Sequence, residues 1–457
     1  MIPTLIIGNA NIYQGNNLDV LPELQSNSVD AIVCDPPYEL GFMGKSWDSS
    51  GIAYSVELWQ QCLRVLKPGG HLLAFGGTRT WHRLAVAIED AGFEIRDNIA
   101  WLYGSGFPKS HNISKAIDKA AGAEREVIGR NPNSRENATK DNNLYELGTV
   151  GKTDFITEAN TDDAKKWDGW GTALKPAHEP IVVARKPLIG TVAENVLKHG
   201  VSGLNIDATR IKGAEGENFE RPVNFTGQHE GYTRPWQSTA EGQEKNAKSR
   251  KESAQKATDL GRWPANIILD EHTAELLDEQ SGISKSKPEK IGAKGGSGFG
   301  FFDDQKTANT LGRWPADNGG GASRFFYVAK ASKRDRNEGL DELPETQTTG
   351  GGGGVGDYLD DVNSASGKYG SEKARAKNFH PTVKPTALMQ YLIRLVTPEG
   401  GVVLDPFAGS GSTGKAAILE GKRFIGIELT AEYLPIIEGR LKHAYLTLDD
   451  KEDDLFE

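Results

Sequence analysis

The feature that most constrains this chain is the position of its ordered texture. Strand and helix alternate at both ends, and residues 126–378 between them are irregular. Val29–Cys34 reads as a buried strand. Val56–Leu66 has helical spacing and stops at Lys67-Pro68-Gly69-Gly70. Gly70–Phe75 reads as a strand, Trp81–Ala91 as a helix ending at Gly92, and Glu94–Leu102 as a further strand. Toward the other end, Thr386–Val396 reads as a helix, Gly401–Leu404 as a strand, Gly414–Glu420 as a helix, Phe424–Glu428 as a strand and Ala431–Tyr445 as a helix. Such alternation implies an α/β fold with a mostly parallel sheet. Neither end is large enough for a doubly wound core, so the two are expected to build one sheet. The expected division is 1–125 and 379–448 as the two halves of that core, 126–378 as an insert, and 449–457 as a tail of six acids and one lysine.

Asn, Gly, Lys, Thr and Glu dominate the insert, with strand-like islands at Pro180–Ala184 and Arg324–Ala329. The hexapeptide Leu-Gly-Arg-Trp-Pro-Ala occurs at 260–265 and again at 311–316, too little to argue a solenoid. The glycine run Gly350–Gly354 makes 337–378 read as a flexible loop.

Composition narrows the function classes. With 457 residues, two or three domains are expected. Apolar residues make up 37% and charged residues 25%, and the mean hydropathy is −0.51, so the chain reads as soluble. No apolar run approaches the roughly 18 residues of a membrane span. Met1–Ile7 is too short and uncharged for a secretory signal, so the expected location is the cytoplasm. Two cysteines, Cys34 and Cys62, exclude a disulfide scaffold and a four-cysteine zinc site. His71 and His82 lack metal-ligand spacing and read as structural, so no metal is expected. A net charge of −10 argues against a bulk nucleic-acid coat protein while leaving local basic patches open.

The chemistry-bearing motif near the C-terminus is Val402-Val403-Leu404-Asp405-Pro406-Phe407-Ala408-Gly409-Ser410-Gly411-Ser412-Thr413. A strand runs into a glycine turn that opens a helix. Glycines let the backbone approach a ligand, and the helix N-terminus offers free N–H groups. Glu428, fifteen residues past Thr413, ends the next strand, where an acid can accept from ribose hydroxyls. Together they point to an adenosine-containing cofactor. Gly409 to Lys415 also fits a phosphate-loop pattern, but Ala416 stands where a Ser or Thr should hold magnesium.

The N-terminal motif is Val29–Cys34 followed by Asp35-Pro36-Pro37-Tyr38. Two prolines stiffen the backbone and remove donors, leaving carbonyls as acceptors. A carboxylate, fixed carbonyls and an aromatic ring suit a planar base with an exocyclic amine. A strand end followed by a rigid turn is the plainer alternative. Cys34, preceded by Val33 in an apolar run, reads as a buried thiol rather than a nucleophile.

The two motifs together resemble those of S-adenosylmethionine-dependent DNA amino-methyltransferases. Asp35-Pro36-Pro37-Tyr38 resembles the catalytic motif and Asp405–Gly411 the cofactor motif. The catalytic motif comes first, as in the permuted β group, phage-like members included. His380-Pro381-Thr382-Val383-Lys384-Pro385 resembles a further family motif near the methionine end of the cofactor. Trp101–Phe107, His178-Glu179-Pro180-Ile181-Val182 and Phe326–Ser332 also resemble family segments. The family often has Gly-Asp ahead of the first helix; here the residues are Gly15-Asn16-Asn17.

The resemblance implies a Rossmann-like methyltransferase sheet, mostly parallel with one antiparallel strand, and a target-recognition region in the insert. It implies transfer of a methyl group from S-adenosylmethionine to adenine N6 in double-stranded DNA. Cytosine N4 stays open, as does a DNA-binding protein with an inactive core. Asp35 and the Pro36 carbonyl would accept the two amino hydrogens, and a flipped base would stack on Tyr38. Pro406, Phe407, Ser410, Ser412, Thr413, Glu428, His380, Thr382, Lys384 and Pro385 would line the cofactor site. Lys330, Lys333, Arg334 and Arg336 form one basic cluster able to meet phosphates, and Lys245–Lys251 another. Arg262 and Arg313 of the repeated hexapeptides are further DNA-contact candidates, although tryptophan-pinned turns are the favoured reading there. The resemblance leaves open a cognate restriction nuclease on another chain, an unpaired enzyme, and the oligomeric state.

Overall fold

The computed structural model describes residues 2–40, 46–104, 106, 110–130, 155–213, 239–283, 320–330, 334–347 and 375–453. The chain divides into two units. One comprises Met1–Asn205, Asp270–His272 and Ala329–Glu457; the other comprises Ile206–Leu269 and Thr273–Val328.

The first unit is built on strands β1 (Leu5–Ile7), β2 (Ala10–Gln14), β3 (Val29–Cys34), β4 (Leu66–Phe75), β5 (Glu94–Leu102), β6 (His178–Arg185), β7 (Val402–Asp405) and β8 (Arg423–Glu428). Its main helices are α1 (Val56–Val65), α2 (Trp81–Asp90), α3 (Thr386–Val396), α4 (Ser412–Leu419) and α5 (Leu434–Asp453). The strands lie in the order β1-β2-β8-β7-β3-β4-β6-β5. From β2 to β4 every neighbour is parallel, while β6 runs antiparallel to β4 and β5. The short edge strand β1 folds back antiparallel on β2. The expected single sheet from both chain ends is therefore observed, with β7 and β8 seated between β2 and β3.

All six residues of β3 are buried, as its continuous apolar run requires of a parallel strand covered on both faces. Its one acid, Asp30, is satisfied: Lys67 Nζ lies at 2.6 Å from Oδ1, and Oδ2 accepts the Val402 amide at 2.8 Å. That contact ties the first residue of β7 to β3. Leu58, Trp59, Cys62 and Val65 of α1 and Leu84, Ala87 and Ile88 of α2 share one core with Ile32, Leu72 and Leu404. Helix α4 packs against α3 and α5.

Several sequence boundaries move. Lys67-Pro68-Gly69-Gly70 does not break the chain into a loop: α1 passes directly into β4 at Leu66. The Gly69 amide donates to Lys186 and the Lys186 amide to Gly70, so the stretch is laddered. Residue 125 is not the edge of the first unit, because β6 comes from the expected insert. Its residues Pro180–Ala184 are buried, and they complete an edge of β4 that carries the buried run Leu72–Phe75. Arg324–Ala329 divides into a 3₁₀ turn at Ala322–Phe325 and a strand at Tyr327–Ala329. Helix α4 begins two residues early, at Ser412, and α5 begins at Leu434 after a 3₁₀ turn.

In the second unit, Lys245, Lys248 and Lys251 are exposed on the helix Ala240–Leu260. Asp278, on Glu271–Ser281, accepts the Ser323 amide at 2.8 Å and its hydroxyl at 2.7 Å.

Candidate active site

Strands β3 and β7 pair in parallel, Val403 beside Ala31 and Leu404 beside Ile32, so both end on the same side of the sheet. That side carries Asp35 just past β3, Asp405 at the end of β7 and Glu428 at the end of β8. Ligand sites of open α/β sheets lie at these carboxyl ends. A cleft of about 1200 Å³ opens there, lined by the Asp35–Tyr38 turn, the Asp405–Ser410 turn and Glu428 among others. The two motifs, some 370 residues apart in sequence, thus face one cavity.

At one end of the cleft, Lys384 Nζ lies 2.5 Å from Asp35 Oδ2 and 3.4 Å from Glu179 Oε2. The Tyr38 hydroxyl donates to Glu179 Oε2 at 2.8 Å. The ammonium also sits over the rings of Tyr38 and Phe75, at 5.4 and 5.0 Å from their centroids. Asp35 Oδ1 is buried and makes no hydrogen bond. Burial alone would lower the Lys384 pKa, but the Asp35 and Glu179 carboxylates hold it above the ordinary lysine value. Burial, reinforced by Asp35, raises the Glu179 carboxyl although Lys384 opposes the shift. Burial likewise raises the Tyr38 phenol, followed by Asp35 and Glu179. The Thr80 hydroxyl donates to the Tyr38 carbonyl at 2.8 Å and fixes the turn from below.

At the other end, the Asp405 carboxylate is spanned by its own loop: Phe407 donates its amide at 2.9 Å and Thr413 its hydroxyl at 2.5 Å. Burial pushes the Asp405 carboxyl up to about 7. Glu428 accepts the Gly409 amide at 2.7 Å and the Thr430 amide at 2.8 Å, so its two oxygens hold both loops that flank it. Gly409 has φ +53°, and a Cβ there would lie 3.0 Å from His380 Nε2. Gly411 has φ +76° and caps α4. His380 packs edge-on against Tyr433 at 4.5 Å between centroids and is held by Thr382 through Nδ1. Asn16 caps the helix Asn17–Val20 through its side chain and lines the cleft, while Asn17 Nδ2 donates to the Pro406 carbonyl at 3.5 Å.

A cofactor of nucleoside type fits these residues: a glycine turn with no room for a side chain, a helix N-terminus, and a carboxylate at the next strand end. The phosphate-loop alternative does not fit. Lys415 is buried and bound by Asp335 and Glu338 at 2.7 and 2.6 Å. Cys34 is fully buried and its thiol is pushed well up by burial, as a structural cysteine should be.

Of the phosphate-contact candidates, Arg336 is otherwise engaged: its guanidinium donates to the Asn378 carbonyl at 3.3 Å and the His380 carbonyl at 2.7 Å. It shapes the His380 segment. Asp335, inside the same basic cluster, is buried and ties Thr386 and Lys415 together. Lys330 and Arg334 are exposed. Arg262 donates to the Arg324 carbonyl at 2.9 Å and lies over Phe325 at 4.8 Å. Trp263 does not pin its turn from inside; it is 64% exposed, with the Arg210 guanidinium 5.3 Å over its ring. Lys333 and Arg313 lie outside the described residues.

Four residues of the site escaped the motif reading. Glu179 lies within a segment whose family resemblance is legible, yet nothing in one sequence singles out its carboxylate. Thr80, Asp335 and Arg440 carry no pattern of their own. Arg440, fully buried on α5, donates to the Ser410 carbonyl at 2.8 Å and to the Ser410 and Ser412 hydroxyls, each at 3.0 Å.

A family model described as DNA methylase, of the N6 and N4 methyltransferases, matches residues 29–439. The chain belongs to this DNA methylase family. The type II methyltransferase M2.DpnII of Streptococcus pneumoniae is 45% identical over 87 residues, 19% of this chain and 32% of that protein. The DNA adenine methyltransferase YhdJ of Escherichia coli (strain K12) is 53% identical over 62 residues, 14% and 21% of the two chains. The type II methyltransferase M.HindIII of Haemophilus influenzae is 24% identical over 269 residues, 48% and 74% of the two chains. The first two matches therefore span a third or less of those relatives' lengths.

Proposed function

We propose that this chain transfers a methyl group from S-adenosylmethionine to the N6 amine of adenine in double-stranded DNA. The observation that carries the reading is the asymmetry of Asp35, a residue that lines the cleft: Oδ2 is committed to Lys384, while Oδ1 is buried and lacks a partner. A buried carboxylate oxygen without a donor is costly unless a ligand supplies one. An exocyclic amine supplies such a hydrogen. The lone pair of that amine is conjugated with the ring and is a poor nucleophile. Hydrogen bonds to Asp35 and to the Pro36 carbonyl turn it toward the methyl group, and positioning supplies most of the gain. The cofactor brings an electrophilic methyl on a sulfonium. Methylation of the nitrogen would leave the methyl–sulfur electron pair with the cofactor, and Asp35 would take up the released amino proton and pass it to water.

Asp405, Gly409, Gly411, Thr413, Glu428 and the His380–Lys384 segment hold the cofactor in this reading. Tyr38 stacks the flipped base. The acid at the head of Asp35-Pro36-Pro37-Tyr38, together with likeness to an adenine methyltransferase, supports adenine over cytosine. The second unit, with its exposed Lys245, Lys248 and Lys251, reads the target and meets phosphates. A cytoplasmic setting and pairing with a nuclease on another chain belong to the same reading. Among the described residues no helix is long and apolar enough to cross a membrane.

The test is nucleoside mass spectrometry on unmethylated duplex DNA after incubation with the protein and S-adenosylmethionine. N6-methyladenine is expected. N4-methylcytosine would keep the site and overturn the base. Cofactor binding without any methylated base would favour an inactive DNA-binding core.

A further inference from the structure

We infer that Glu179 is a positioning residue for this transfer: through Lys384 it holds one oxygen of Asp35 and leaves the other for the target amine, and through Tyr38 it sets the ring against which the base stacks. The inference rests on the proposed reading of Asp35 and extends it to a residue on another strand. Glu179 lies on β6, the antiparallel strand beside β4, and its Oε2 serves both Tyr38 and Lys384. Lys384 therefore lies within 3.4 Å of two carboxylates and over two aromatic rings, with its side chain 8% exposed. An ammonium so enclosed has one place to sit. Without Glu179 it would be free to bridge both oxygens of Asp35 and occupy the acceptor that the amine needs.

Charge points the same way. Two carboxylates and one ammonium leave this end of the cleft with one net negative charge. The attacking nitrogen becomes positive as the bond to carbon forms. A fixed negative surplus in a low-dielectric site stabilises that developing charge. Glu179→Gln keeps size and an acceptor for the Tyr38 hydroxyl but removes the surplus.

The titratable groups facing Glu179 are Asp35 and Tyr38 after β3, Lys384 before α3 and Tyr103 after β5. Burial, the largest influence, holds the Glu179 carboxyl above its ordinary value, so it protonates at a higher pH than a solvent-exposed glutamate. Turnover of the full chain should then show an acid limb displaced upward from that of an ordinary glutamate. For E179Q, turnover on duplex DNA should fall on the order of 100-fold. S-adenosylmethionine affinity and melting temperature should match the wild type, and the acid limb should move to lower pH. Tyr38→Phe, which removes only the hydroxyl, should lose less and move the acid limb no lower than the wild type's, since the Tyr38 hydrogen bond holds the Glu179 carboxyl down. Wild-type turnover with an unmoved acid limb in E179Q would overturn the inference. So would a drop in melting temperature that accounts for the lost activity, since Glu179 would then be structural. A wild-type chain that binds cofactor but methylates no base would instead overturn the reading of Asp35 beneath it.

Discussion

Asp335 and Lys415, 80 positions apart in the chain, meet at 2.7 Å in the interior of the first unit, and Arg440 approaches the same carboxylate at 3.5 Å. Asp335 also accepts the amide of Thr386, the first residue of α3. One buried acid thus joins α3, α4 and α5, and through Arg440 it reaches the Ser410–Ser412 turn.

Removing one partner of a buried ionic cluster leaves its other charges uncompensated, at a cost of about 3–5 kcal/mol. Asp335→Asn should lose stability of that order near neutral pH in urea unfolding. Burial would raise the Asp335 carboxyl, but Lys415 and Arg440 hold it below the ordinary value. A depressed folded pKa gives stability that is present above the ordinary value and lost as pH falls through the folded one. The gap between the variant and the wild type should therefore close in acid. A constant gap would place the loss elsewhere.

Asp405 works in the opposite sense. Its carboxyl is raised from 3.8 to about 7 by burial, so the folded state holds a proton that the unfolded chain has released. Its contribution to stability without ligand is therefore lost as pH rises from about 4 to about 7. Asp405→Asn can still accept from Phe407 and donate to Thr413. It should flatten this slope and unfold at higher urea than the wild type at pH 8. Parallel pH profiles for the two proteins would contradict the raised value.

Gly409→Ala forces a side chain into a φ of +53° and against His380. Left-handed backbone costs a non-glycine residue roughly 1–2 kcal/mol before the contact is counted. Calorimetry should find S-adenosylmethionine affinity reduced about tenfold or more, with the melting temperature lowered by roughly a few degrees from the backbone strain. Wild-type affinity would remove this turn from the binding site.

Arg336→Ala separates two roles. A phosphate contact contributes close to one unit to the slope of log affinity for DNA against log salt. Because Arg336 spends its guanidinium on the Asn378 and His380 carbonyls, that slope should stay unchanged. Cofactor affinity should fall instead, since the His380 segment loses its anchor. Filter binding across a salt series, beside calorimetry, decides between the two.

Elements whose cause is local can be read from the residues alone. The apolar run Val29–Cys34, the spacing of Thr386–Val396, the Asp35-Pro36-Pro37-Tyr38 turn and the Gly409–Gly411 turn were legible, because period, proline and glycine act within a few residues. The union of both chain ends in one sheet was legible too, since neither end could bury its own core. What rests on neighbours far along the chain emerged only with the packing of the whole fold. It brought β6 from the presumed insert to cover β4 and with it carried Glu179 to Lys384. It buried Asp335, which reads as part of a basic surface cluster, against Arg440 below the Ser410–Ser412 turn, and spent Arg336 on the Asn378 and His380 carbonyls. It also withdrew Lys415 from a glycine turn that resembles a phosphate loop. The physical reason is common to all of these: a buried charge settles where its partner lies, and the partner's place is set by packing rather than by spacing.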